Sequence, residues 1–213
     1  MNCFVLNGWA AGPETWDLCT FRRDRLFNYL EELDGEPLRA LTKVDAAILV
    51  GFSMGGSIAL QMLLKCPEKI QGLVLVAATP RMTEDATTGW KGLSERRLTA
   101  LWAGTRMFHE DDTTELFQES NLVKGIDYLR QTDLRDDLCA LVARTPQLTK
   151  IPVRILQGER DGIVRPANAD FLAKLFPQAV VTRIPGAEHT LPLTVPKMID
   201  SAVFDIITAY ENE

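Results

Sequence analysis

Ser53 lies in the glycine-rich segment Gly51-Phe52-Ser53-Met54-Gly55, which fits the pattern G-x-S-x-G. An apolar run, residues 46–50, precedes this segment, and a helical pattern, residues 57–63, follows it. A nucleophilic serine on a sharp turn requires this order of strand, turn and helix. The start of a helix also favours developing negative charge. The pattern predicts a nucleophilic serine, and the alternative is a glycine-rich turn without chemistry.

A serine hydroxyl needs a neighbouring base to remove its proton. The chain has two histidines. His109 lies in a charged stretch, where a solvated side chain is the simpler interpretation. His189 lies in a loop between a predicted strand, residues 180–184, and the last predicted helix. Parallel-sheet enzymes place catalytic groups at such strand ends, so His189 is the predicted base.

The third member of such a site is a carboxylate that orients the histidine. Asp161 follows another predicted strand, residues 153–156, with Glu159 as its nearest competitor and Glu188 as a weaker one. An aspartate that caps the turn before a glycine is the alternative. The chain order Ser53, Asp161, His189 is that of α/β-hydrolases, which favours the catalytic interpretation.

Two backbone N–H groups should stabilise the negative oxygen of the intermediate, forming an oxyanion hole. Met54 supplies one because it follows the nucleophile directly. The loop after the first predicted strand, residues 7–12, should supply the other, and Trp9 is the best candidate. The Trp9 side chain can pack in the core while its backbone donates.

Short runs rich in Val, Ile and Leu alternate with helical patterns along the chain, which is typical of a parallel sheet with crossover helices. The predicted strands are residues 3–6, 46–50, 73–77, 153–156 and 180–184. Residues 19–44 leave open a helix turn or an edge strand around residues 25–31. The sequence therefore predicts an α/β fold with a mostly parallel sheet and helices on both faces.

Residues 81–149 differ, since they have charged, helix-favouring segments and no convincing buried strand. A structureless loop of this length is rare in a compact domain. We therefore expect one domain over residues 1–213, with a helical lid inserted at residues 81–149.

Composition narrows the possible partners. The chain has 213 residues, a net charge of −6, 46% hydrophobic and 24% charged residues. An acidic balance does not suggest nucleic-acid binding. No apolar run approaches the roughly 20 residues of a membrane span, and the first residues lack the pattern of a signal peptide. The four cysteines are widely spaced, so we expect reduced thiols, a cytoplasmic location, and neither a metal nor a cofactor.

Several segments resemble α/β-hydrolases throughout the chain, and two resemble one branch in particular. The general segments are Leu6-Asn7-Gly8-Trp9, Gly51-Phe52-Ser53-Met54-Gly55-Gly56, Gly158-Glu159-Arg160-Asp161-Gly162-Ile163-Val164 and Gly186-Ala187-Glu188-His189. Residues 67–80 and, within the predicted lid, residues 125–135 look like the BioH-type pimeloyl-acyl-carrier-protein methyl ester carboxylesterases of biotin synthesis. Lids vary widely among α/β-hydrolases, so the second segment is the more specific.

The resemblance implies a serine carboxylesterase that removes one methyl group from a dicarboxylate carried on an acidic acyl carrier protein. It further implies that lid arginines meet the carrier, the candidates being Arg96, Arg97, Arg130 and Arg135. Solvated surface charge is the alternative for them. A general esterase or thioesterase, or a slow-turnover receptor with this fold, are the other functions that the residues allow.

The chain departs from the family at two places. The family usually begins its first loop with His-Gly, whereas this chain has Asn7-Gly8, and that histidine is generally structural. The number of residues between Trp9 and Ser53 is small for this fold. We therefore expect a sheet trimmed at its N-terminal side, without the usual leading hairpin. We interpret residues 34–37 as the abbreviated remnant of a longer family loop.

Overall fold

The computed structural model describes residues 2–82, 116 and 118–211. Its centre is a six-stranded, wholly parallel sheet with the strand order β2-β1-β3-β4-β5-β6. The strands are β1 (Asn2–Leu6), β2 (Arg25–Phe27), β3 (Ala47–Phe52), β4 (Ile70–Val76), β5 (Val153–Gly158) and β6 (Val180–Ile184). The parallel sheet predicted from the sequence is confirmed.

Helices follow the strands and cover the sheet. They are α1 (Tyr29–Leu33), α2 (Glu36–Thr42), α3 (Met54–Lys65), α4 (Glu119–Gln131), α5 (Arg135–Arg144), α6 (Ala167–Leu175), α7 (Leu191–Thr194) and α8 (Pro196–Glu211). Short 3₁₀ helices span Pro13–Trp16, Pro67–Lys69 and Pro146–Thr149. No helix in the part of the chain that the structure describes is long and apolar enough to cross a bilayer.

Alternate residues of the strands point to opposite faces of the sheet and build two cores. In β1, Val5 joins the core under α8, whereas Phe4 and Leu6 join the core under α3, α5 and α6. Both faces of the central strands are therefore buried, which explains why these strands are apolar at almost every position.

Residues 19–44, for which the sequence left a helix turn or an edge strand open, contain both kinds of element. Arg25–Phe27 is a short edge strand paired with β1. The Asn28 side chain then accepts hydrogen bonds from the Leu30 and Glu31 amides, and Glu31 accepts one from the Asn28 amide at 2.8 Å. This reciprocal cap starts α1 directly after the strand. Asp34 and Gly35 connect α1 to α2, with Gly35 in the left-handed region at a φ of 78°, and residues 36–37 form the first turn of α2.

Between β4 and β5 the described chain contains α4, α5 and a 3₁₀ helix. The start of the predicted insertion contacts the segment between α4 and α5, since Arg81 and Asp133 form an isolated antiparallel bridge and the Leu134 amide donates to the Pro80 carbonyl at 2.9 Å. The rest of the predicted lid, residues 83–115 and 117, lies outside the described residues.

Candidate active site

Ser53 occupies the sharp turn between β3 and α3. Its backbone has a φ of 54° and a ψ of −115°, in a region that non-glycine residues rarely adopt. The Ser53 amide still donates to the Val76 carbonyl of β4 at 2.9 Å, so the sheet holds the turn from one side. A strained serine that is fixed in this way has the geometry of a nucleophile elbow.

Gly55 permits this turn because α3 begins against the end of β1. A Cβ at Gly55 would overlap the backbone carbonyl of Leu6 and would lie 2.5 Å from that of Asn7. These neighbours are backbone atoms and cannot rotate away. The second glycine of the G-x-S-x-G pattern is therefore needed for close approach of helix and strand.

The structure brings Ser53, His189 and Asp161 together in one line of hydrogen bonds. His189 Nε2 lies 2.9 Å from Ser53 Oγ, and His189 Nδ1 lies 2.8 Å from Asp161 Oδ2. All three side chains are buried. A carboxylate only accepts hydrogen bonds, so Nδ1 carries the ring proton and Nε2 is free to accept the serine proton.

Asp161 is held by its own loop. Its Oδ1 accepts from the amides of Ile163 at 2.9 Å and Val164 at 2.8 Å, which leaves Oδ2 directed at the histidine. The competing carboxylates, Glu159 and Glu188, are both exposed. The arrangement selects Asp161 as the carboxylate that orients His189.

Two residues that sequence reasoning missed support this geometry. Gln157, buried at the end of β5, donates from Nε2 to the Val164 carbonyl at 3.0 Å and lies 3.3 Å from Asp161 Oδ2. The Phe52 ring packs on the His189 ring, with centroids 5.1 Å apart. The only sequence signal for either was its position next to a predicted site residue or at a strand end.

The two expected oxyanion donors belong to segments that meet at Ser53. Met54 is the first residue of α3, among the amides that have no partner within a helix. The loop that carries Trp9 runs beside the serine, since a Cβ built on Gly8 would lie 3.3 Å from the Ser53 Cβ. A tight turn, in which the Ala11 amide donates to the Gly8 carbonyl at 3.1 Å, closes this loop.

The Trp9 side chain connects the same loop to α4. Its indole Nε1 donates to the Leu122 carbonyl at 3.1 Å. Gly125, one turn further along α4, lies so close that a Cβ there would overlap the indole ring. Trp9 is thus a packing aromatic, as the sequence allowed, and its backbone lies at the candidate site.

A buried polar group lies behind the oxyanion loop. Glu32 of α1 is 4% exposed, and its Oε1 accepts the Asn7 amide at 2.6 Å. The Trp16 indole donates to Asn7 Oδ1 at 2.6 Å. Burial raises the pKa of the Glu32 carboxyl well above its usual range, more than the Asn7 hydrogen bond lowers it.

This burial predicts a specific dependence of stability on pH. Folded protein keeps the Glu32 proton at pH values where the unfolded chain has lost it. The free energy of unfolding therefore falls as pH rises above the unfolded value and towards the raised folded pKa, by at most about 1.4 kcal/mol per pH unit from this group. Glu32→Gln removes the titration. In thermal melts from pH 5 to pH 9, we expect the wild-type Tm to fall relative to that of Glu32→Gln; parallel curves would contradict the assignment.

The other predicted site residues lie away from this cluster or outside the described chain. The Arg135 guanidinium donates two hydrogen bonds to Asp133, at 2.8 and 2.7 Å, and is partly exposed. Arg130 lies near the end of α4. Arg96, Arg97 and His109 lie outside the described residues. Within residues 2–82 and 118–211, no group of three or more His, Cys, Asp or Glu side chains could hold a metal ion.

Comparisons with known proteins identify relatives among hydrolases and esterases. The serine aminopeptidase S33 family model (Hydrolase_4) matches residues 35–193. The chain is 25% identical over 242 residues to a pimeloyl-[acyl-carrier protein] methyl ester esterase from Nitrosomonas europaea, covering 95% of this chain and 94% of the relative. A protein with the same description from Salmonella enteritidis PT4 is 27% identical over 252 residues, with 96% and 94% covered.

Solved structures give the same result for the fold. An esterase from Exiguobacterium antarcticum superimposes with a TM-score of 0.72 at 16% sequence identity, covering 98% of this chain and 92% of that one.

Proposed function

Since the chain belongs to the serine aminopeptidase S33 family, has the α/β-hydrolase fold and is a carboxylic ester hydrolase, we propose that it demethylates a pimeloyl-acyl-carrier-protein methyl ester. The observation that carries the ester chemistry is the continuous hydrogen-bonded line from Ser53 Oγ through His189 to Asp161. The relatives with 25% and 27% identity over nearly their whole length support the specific substrate.

In the proposed mechanism the three side chains form a catalytic triad. His189 Nε2 takes the proton of Ser53 as its Oγ attacks the ester carbonyl carbon. The amides of Trp9 and Met54 then donate to the negative oxygen of the tetrahedral intermediate. The C–O bond to the methoxy group breaks, and His189 returns the proton to the departing oxygen, so methanol leaves.

Water completes the reaction on the acyl-enzyme. His189 removes a proton from the water as its oxygen attacks the ester carbonyl carbon. The bond between that carbon and Ser53 Oγ then breaks, and His189 gives its proton to Ser53 Oγ, which releases the free carboxylic acid. Asp161 keeps the Nδ1 proton directed at itself throughout, which stabilises the imidazolium in both halves of the cycle. No cofactor takes part in these steps.

The predicted lid completes this proposal. Helix α4 packs on Trp9, and residues 81–149 would cover the acyl group while the carrier remains outside. Arg96, Arg97, Arg130 and Arg135 are the proposed carrier contacts. Arg135 is already paired with Asp133, so an acidic carrier would have to compete for its charge, and exposed charge pairs of this kind are weak enough to exchange. The expected cytoplasmic location belongs to the same proposal.

The test is a mass-spectrometric assay of purified protein on three esters, beside Ser53→Ala. The substrates are pimeloyl-carrier methyl ester, the same acyl ester on pantetheine without the carrier, and p-nitrophenyl acetate. We expect Ser53-dependent loss of one methyl group from the first, at a higher kcat/KM than from the second. Cleavage of p-nitrophenyl acetate alone would support a carboxylesterase but would contradict the proposal that its substrate is the pimeloyl-carrier methyl ester. Ligand binding without turnover would favour a receptor.

A further inference from the structure

The start of the oxyanion loop is held at Asn7 by contacts from two directions. Its amide lies 2.6 Å from Glu32 Oε1 and 3.2 Å from the Phe27 carbonyl. Its side-chain oxygen accepts from the Trp16 indole. Gly8 and Trp9 follow directly, so the position of the Trp9 amide depends on how Asn7 is fixed.

We propose that Glu32 is a positioning residue, whose carboxyl holds the Asn7 amide and thereby sets the place from which the Trp9 amide donates to the oxyanion. The inference rests on the proposed serine-esterase mechanism and adds a residue from α1 to it. Glu32 does not touch the reacting atoms; it acts through the loop.

A carboxyl is a costly side chain at this position. Glu32 lines a cleft of about 170 Å³ together with Tyr128 of α4 and Lys65 of α3. Glu31 on its own helix adds a like charge, and Lys65 is exposed. Within the described residues, neither Glu32 Oε2 nor the Tyr128 hydroxyl has a hydrogen-bond partner. An apolar side chain would avoid the cost of burying this group.

The oxygen that does have a partner explains what the carboxyl supplies. Glu32 Oε1 contacts the one backbone amide that begins the oxyanion loop, across 25 positions of sequence. Burial raises the pKa of the Glu32 carboxyl and so favours its neutral form, whose carbonyl oxygen accepts the amide proton without placing a full negative charge behind the oxyanion site. Glutamine has the same acceptor at the same reach, whereas leucine has none.

Small displacements of an oxyanion donor have large effects on rate. The donor must lie about 2.7–3.1 Å from the developing oxyanion, and outright loss of one donor lowers kcat by about 10²- to 10³-fold. Substrate binding in the ground state depends much less on this contact. A positioning role for Glu32 therefore predicts a loss in kcat with little change in KM.

The experiment compares wild type, Glu32→Leu and Glu32→Gln on p-nitrophenyl acetate, with phenylboronic acid as a tetrahedral-adduct inhibitor. Leu172→Ala serves as the control for destabilisation, because Leu172 is a fully buried core residue of α6 that does not line the Glu32 cleft. We expect Glu32→Leu to lower kcat about 10- to 100-fold per folded molecule, with KM within about threefold, and to weaken phenylboronic acid binding by a similar factor. Glu32→Gln should have a kcat within about threefold of that of wild type. Leu172→Ala should keep the wild-type kcat but have a lower Tm.

Two results would overturn the inference: a wild-type kcat in Glu32→Leu, or equal loss in the leucine and glutamine variants. If Glu32→Leu does not fold, Glu32→Met, whose unbranched side chain matches glutamate in length, replaces it under the same criteria. Failure of the proposed function looks different, because wild type would then be inactive on every ester or Ser53→Ala would keep its rate.

Discussion

Ser53→Ala is expected to lower kcat for ester hydrolysis by about 10⁴- to 10⁶-fold, the loss seen when a triad nucleophile is removed. The alanine has no oxygen for the histidine to activate, so no acyl-enzyme can form. The Oγ atom contributes one hydrogen bond to His189 at 2.9 Å, so the Tm should stay near that of wild type. The measurements are kcat on p-nitrophenyl acetate and covalent labelling by a fluorophosphonate.

Ser57→Ala is the matched control for this experiment. Ser57 is a buried serine of α3, and its Oγ donates to the Thr79 carbonyl at 2.6 Å rather than to a base. This variant should keep kcat within about threefold and should still be labelled. A Ser53→Ala protein that is labelled and active would falsify the mechanism.

Asp161→Asn is expected to lower kcat by about 10⁴-fold without removing any atom from the packed site. The two loop amides, from Ile163 and Val164, bind Oδ1, so the oxygen of the asparagine must stay there. Its NH₂ group then faces His189 Nδ1 and donates to it. The ring proton moves to Nε2, which donates to Ser53 instead of accepting its proton.

The tautomer itself can be measured in this variant. The chain has two histidines, so ¹⁵N NMR of the imidazole groups gives a spectrum with His109 as an internal reference. We expect His189 to carry its proton on Nδ1 in wild type and on Nε2 in Asp161→Asn. Asp200→Asn is the control, because the Asp200 carboxylate also accepts from two backbone amides, those of Thr20 and Phe21, but forms no hydrogen bond with His189 among the described residues. Equal kcat in Asp161→Asn and wild type would remove Asp161 from the mechanism.

The sequence allowed the fold and the three central residues to be predicted because they depend on local patterns. Ser53 is surrounded by glycines between a strand and a helix. Asp161 and His189 follow predicted strands in which most residues are Val, Ile or Leu. Strand ends of a parallel sheet converge, so residues far apart in sequence could be placed together before the structure was known. The edge strand β2 was only one of two possibilities, because three residues with partial exposure carry no clear period.

The supporting residues could not be predicted in the same way. Glu32 lies in a short helix among Glu31 and Asp34, where a charged side chain normally faces solvent. Its burial depends on the packing of α4 and on the path of the first loop, which are contacts between distant parts of the chain. Gln157 is similar, since a polar residue at the end of a strand becomes informative only once Asp161 is known to lie beside it.

The position of the insertion bears on how this protein could acquire new substrates in evolution. Strands β4 and β5 pair directly, with Val76 opposite Leu156, although the whole segment with α4 and α5 lies between them in sequence. The entropic cost of closing a loop grows only logarithmically, about 0.6 kcal/mol for each doubling of its length. The segment that connects these two strands can therefore be replaced by one of different length and composition. The sheet, and the residues at its strand ends, would keep their places. A change in the acyl group that the enzyme accepts would then require changes only in the segment between β4 and β5, and the sheet would stay intact.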